Sequence, residues 1–178
     1  MFKIQYRGMV FEMHPMYHPL FVQFLTYFNG NQDYFECHEV LEEYWKEIAP
    51  RDKTHPLTGW IQLATGLYHW RRENFSGAKT ILKKAYITLE QSVNSSFMEE
   101  VDGIAILHSM QKIQHAVEKK EPFQKFILPI TSVTLENQVF TSIALLKETD
   151  AHYLQHKHML RDRSDILLAR DEKRRSRH

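Results

Sequence analysis

Asp33-Tyr34-Phe35-Glu36-Cys37-His38-Glu39-Val40-Leu41-Glu42-Glu43-Tyr44-Trp45-Lys46-Glu47-Ile48 is the stretch whose reading decides the fold. Asp33 is a side chain that caps helices, and Pro50 stands where a helix must stop. Between them Tyr34, Cys37, Leu41, Tyr44, Trp45 and Ile48 recur at helical spacing, one broad apolar arc at about 100° per residue. Glu36, Glu39, Glu43 and Glu47 fall on the opposite, solvent-facing side. His38 lies inside the edge of the arc beside Trp45, and Glu42 follows one turn on, on the same side. The segment predicts a helix with a single polar pair aimed near the core.

Working outward, the same periodicity predicts neighbours on both sides. Leu20, Phe21, Phe24, Leu25 and Phe28 give a first helix over about 18–29, with Pro19 near its first turn and Gly30 as its stop. Pro56 opens a third helix running from Leu57 to Glu73, apolar on most of its circumference and therefore central. After a turn at Asn74 to Gly77, Ile81, Leu82, Ala85, Tyr86 and Leu89 mark a fourth. Asp102 can cap a fifth through Ile104, Leu107, Met110, Ile113 and Val117. One helix hairpin has the spacing of a tetratricopeptide unit, but it occurs once and reads as ordinary packing.

The expectation is an all-α chain, a compact bundle of about five helices with an additional C-terminal helix. Residues 16–121 form the core domain, 1–15 a leader or over-long start, 122–140 a connector, and 141–178 a C-terminal helix and basic tail. Leu146, Tyr153, Leu160 and Leu167 recur every seven residues in that helix. His152, His156 and His158 on it read as a solvated face, and Trp45, Trp60, Tyr68 and Trp70 as core.

Composition narrows the function classes. The chain has 178 residues, 43% of them apolar, which suits one ordinary core. Net charge is +1, from 23 basic and 22 acidic side chains, which argues against a protein built to coat nucleic acid or membrane. The basic excess is confined to the tail, which lacks the interleaved aromatics of a single-strand binder. The one cysteine, Cys37, excludes an internal disulfide and fits a cytoplasmic location. A protein partner or a second copy of the chain stays open.

The third helix offers a polar stripe to match the second. Gln62 and His69 are two turns apart, with Gly66 between them. A mid-helix glycine costs about 1 kcal/mol relative to alanine, and close approach of another helix is one way to recover it. If helices two and three pack antiparallel through these stripes, His38, Glu42, Gln62 and His69 converge.

Tyr34 to Trp45, with Gly59-Trp60-Ile61-Gln62-Leu63-Ala64 and His69, resembles the prokaryotic domain-of-unknown-function family numbered three hundred and nine. Its mark is a histidine, a glutamate four residues later and an aromatic three after that, matched by His38, Glu42 and Trp45. The resemblance covers about residues 16 to 90. It implies a small all-helical bacterial protein and a metal-binding role for the histidine and glutamate.

Three uses of the pair are open. One is a buried polar network locking helix two to helix three, satisfied with Gln62, in a protein that acts by interaction alone. A second is a divalent metal, zinc, manganese or iron, held by His38, Glu42 and His69 with a coordination position to spare. The third is metal-free proton transfer. Glu39 completes a string like the zincin helix, but that motif's second histidine is Glu42 here, and Glu39 as general base would point away from His38. A ferritin-like di-iron site needs Glu-x-x-His, which the chain lacks. Cys37, on the apolar face, reads as a small buried hydrophobe rather than a nucleophile.

Overall fold

Three His-Pro dipeptides start helical segments in this protein, and each works the same way. In a computed structural model describing residues 2–6 and 9–160, the Nδ1 atoms of His14, His18 and His55 accept from the backbone N–H two residues on, at 3.4, 3.3 and 3.2 Å. The following proline sits in the first turn, where its missing N–H leaves nothing unsatisfied. These caps open a 3₁₀ turn at Pro15–Tyr17, helix α1 (Pro19–Asn29) and helix α3 (Pro56–Arg71).

The remaining helices are α2 (Tyr34–Ile48), α4 (Phe75–Gln91), α5 (Gly103–Glu118), α6 (Val133–Ile143) and α7 (Ala151–Leu160). Asp33, Asn74 and Asp102 cap α2, α4 and α5, each side chain accepting from the N–H three residues on. Helices α1 to α5 pack in chain order, each on the next, while α6 returns to α1 and α7 lies on α2. The fold is all-α with a core of aromatic and aliphatic side chains centred on α1 and α3: Phe21, Phe24, Leu25, Phe28, Trp60, Leu63 and Leu67 are fully buried.

The glycine at Gly66 does recover its cost through a close approach, but toward α4. A β-carbon there would lie 2.6 Å from Leu82, and one at Gly59, a heptad earlier, 2.8 Å from Leu89, a heptad later on the antiparallel partner. Both leucines are fully buried, so two glycines on α3 receive two leucines of α4.

Several expectations need correction. Within the segment before residue 16, Phe2–Tyr6 and Met9–Met13 pair as an antiparallel hairpin, β1 and β2. Pro15 is buried, and its carbonyl accepts from Tyr44 Oη at 3.1 Å. Alternating β-formers in a short hairpin give a weak local signal. The stretch 122–140 holds an extended strap and then most of α6, capped by Ser132. Asn29 clamps the strap at Leu128, donating to its carbonyl at 3.0 Å and accepting from its N–H at 2.9 Å. The long helix expected from 141 is interrupted, since α6 ends at Ile143 and α7 starts at Ala151. Asp150, whose carboxylate accepts from Tyr153 N at 3.2 Å, is the restart signal. Ile48 and Ile104, assigned to apolar stripes, are 36% and 60% exposed, the first in the last turn of α2 and the second in the first turn of α5. The tail, residues 161–178, lies outside the described residues.

Candidate functional site

The buried arc of α2 is Tyr34, Cys37, Val40, Leu41 and Tyr44. His38, Glu39, Glu42 and Trp45 lie on its flank, each half-buried. Ligand atoms of His38, Glu39 and Glu42 all fall within 4.8 Å of one another, which makes them a group able to hold a metal ion. His38 Nδ1 is 3.3 Å from Glu39 Oε1, and Glu42 Oε1 is 3.2 Å from Lys46 Nζ.

This corrects the placement of Glu39. It was assigned to the solvent side, yet its carboxylate reaches back to His38, and Glu39 rather than Glu42 is that imidazole's hydrogen-bonding neighbour. The 100° between adjacent residues is spanned by a side chain long enough to fold along the helix surface. His38 and Glu42 are also not a sealed pair, with side chains 34% and 37% exposed.

His69 is not in the group. Its Nδ1 accepts from Asn74 Nδ2 at 3.0 Å, and Asn74 N donates to the His69 carbonyl at 2.9 Å, so this histidine fastens the α3–α4 turn. Burial, and then the charge of Arg72, lower its pKa. Gln62 Oε1 is buried with no hydrogen-bond partner, so it does not satisfy the pair either. Trp45 packs on the core edge and donates to the Asp52 carbonyl at 2.8 Å, pinning the loop after α2. Trp60, Tyr68 and Trp70 are core, as the periodicity implied. Cys37 is fully buried, and burial pushes its thiol pKa well up, which leaves it a protonated hydrophobe.

Sequence reasoning missed a second charged cluster. Lys157 of α7 reaches Asp33 Oδ2 at 2.5 Å and Glu36 Oε1 at 2.8 Å, with Lys157 13% and Asp33 4% exposed. Burial works against the ammonium, but the two carboxylates outweigh it and hold its pKa above the ordinary value. Nearby, Arg71 donates to the Gln32 carbonyl at 2.8 Å, its guanidinium 4.5 Å from the Tyr34 ring and 4.9 Å from that of Phe123. Asp33 was legible as a cap, but nothing local announces a lysine 124 residues away as its partner.

The histidine caps give this end of the molecule a pH dependence. Burial lowers the pKa of both His18 and His55 below the ordinary 6.5, against the opposing charges of Glu47 and Asp52. The folded state then resists protonation that the unfolded chain accepts, so no penalty exists above about pH 6.5, and it grows as pH falls below that value. The melting temperature should drop between about pH 7.5 and 5.5, and less steeply in His18→Asn/His55→Asn, where asparagine caps without titrating. Parallel slopes in the two proteins would show that these imidazoles carry none of the dependence.

No helix among the described residues is long and apolar enough to cross a membrane. Uncharacterized protein YpuF of Bacillus subtilis (strain 168) is 34% identical over 164 residues, covering 88% of this chain and 94% of that protein. No solved structure matches the chain significantly. The family described as domain of unknown function (DUF309) matches residues 21–81, which hold α2, α3 and the His38 cluster. With the near full-length relative beside that match, the chain belongs to the DUF309 family.

Proposed function

We propose that this protein binds a divalent cation on the flank of α2, with His38, Glu39 and Glu42 as its ligands. The observation that carries the reading is the approach of one imidazole and two carboxylates to within 4.8 Å on a surface open to solvent. One nitrogen and two oxygens suit zinc, manganese or iron, and three ligands from one helix face leave coordination positions for water or a substrate. Partial exposure disfavours the rival in which the pair is a sealed polar lock, since a lock would be buried and mutually bonded. Lys46 occupies the place of a counter-ion on Glu42, and the cation would displace it.

Titrating zinc or manganese into metal-stripped protein should raise the melting temperature, by about 2.7 kcal/mol of stability at a hundredfold excess over the dissociation constant. His38→Ala and Glu42→Gln should abolish the gain. Lys46→Met should tighten binding about twofold, because an exposed i, i+4 ion pair is worth only about 0.3–0.5 kcal/mol. Wild-type protein that gains nothing from either metal, and carries none as isolated, defeats the proposal.

A further inference from the structure

A second group of nitrogen donors lies on α7. His152 and His156 are one turn apart, and their ring centroids are 4.7 Å from each other at 50°. Residues four apart on a helix stack along one face, so both imidazoles can reach one point beside the helix. His152 is exposed. His156 is half-buried, and its Nδ1 is shielded from solvent with no hydrogen-bond partner. A shielded ring nitrogen without a partner costs free energy that a ligand can recover.

The neighbouring cation is turned away. Lys157 follows His156 in the chain, but its ammonium is held by Asp33 and Glu36 of α2, so it does not repel a positive ion at the histidines. Leu154 is buried, and Gln155 donates to the Arg71 carbonyl at 3.3 Å, so the contacts that dock α7 are made by residues other than the two histidines. The solvated-face reading of these histidines accounts for the exposure of His152 but not for the paired rings or the unpartnered nitrogen.

We propose that His152 and His156 form a two-histidine clip for a divalent transition metal of the nitrogen-preferring class, nickel, copper or zinc, separate from the His38 cluster. Donors that are imidazole alone select these ions over magnesium, calcium or manganese, which favour oxygen. The bound ion would tie two turns of α7 together.

Calorimetric titration of nickel into the full chain tests this. Wild-type protein should show a site that weakens at least about tenfold in His152→Ala and in His156→Ala, because each substitution removes one arm of a chelate. His38→Ala should leave that site unchanged, which separates it from the cation site proposed on α2. His152 is exposed, so His152→Ala should melt at the wild-type temperature in the absence of metal. The clip is refuted if the wild type takes up no nickel, if His152→Ala/His156→Ala binds as the wild type does, or if His38→Ala alone removes all binding.

Discussion

Asp33→Ala is expected to destabilise the protein by about 3–5 kcal/mol, because one carboxylate does two buried tasks. Its Oδ1 accepts from Glu36 N at 3.0 Å and caps α2, while its Oδ2 takes Lys157. Losing the cap alone costs about 1 kcal/mol. The rest comes from leaving a nearly buried ammonium with Glu36 as its remaining carboxylate. The loss has a ceiling, since α7 joins the bundle through residues 144–150, which form no helix, and it can undock and return Lys157 to water. The variant should therefore show α7 amides exchanging faster than those of α1 to α5. Lys157→Met should cost less, because Asp33 keeps its cap hydrogen bond to Glu36 N and methionine fills the space of the lysine stem, but it is not neutral, since the buried Asp33 carboxylate loses its ammonium partner. Equal losses from the two substitutions would mean that the cap contributes nothing.

Trp60→Ala is the second large effect, about 3–5 kcal/mol by chemical denaturation. The indole is fully buried, meeting the Phe21 ring edge-on at 6.1 Å and the Phe24 ring at 5.8 Å. Its Nε1 donates to the Phe97 carbonyl at 3.3 Å, tying α3 to the loop between α4 and α5. Truncation opens a cavity between α1 and α3, where neighbours on two helices cannot both collapse inward. Trp60→Phe keeps most of the ring volume and should lose the hydrogen bond plus a smaller void, about 1–2 kcal/mol. If alanine and phenylalanine cost the same, the carbonyl contact rather than the packing holds this junction.

The helices and their ends follow from short-range rules, which is why α1 to α5 were legible. Asp33 and Asp102 cap the helices they were assigned to, Pro19 and Pro56 sit in first turns, and Cys37 lies on the inward arc of α2. These features depend on residues within four positions of one another, where helix geometry leaves little choice. The family motif was legible for the same reason, since His38, Glu42 and Trp45 lie within two turns.

What periodicity could not provide was the neighbour across space. A wheel of 100° steps put Glu39 in solvent and Glu42 beside His38, whereas side-chain length brings Glu39 to the imidazole and Lys46 draws on Glu42. His69 has the right spacing to face α2, yet Asn74 engages it at the α3–α4 turn, and Gly66 between the two polar residues serves α4. Ile48 and Ile104 are apolar at helical spacing and still exposed, because burial needs a partner element as well as a face.

The sequence by itself determined the class of fold, the places where α1 to α5 start and stop, and the residues of α2 from which a site could be built. Only the tertiary structure decided which of those residues meet, that α7 docks on α2 through Lys157, and that the strap at 122–131 closes over α1. Helix caps and periodicity are written in adjacent residues, whereas a contact between Asp33 and Lys157 exists only after the chain between them has packed.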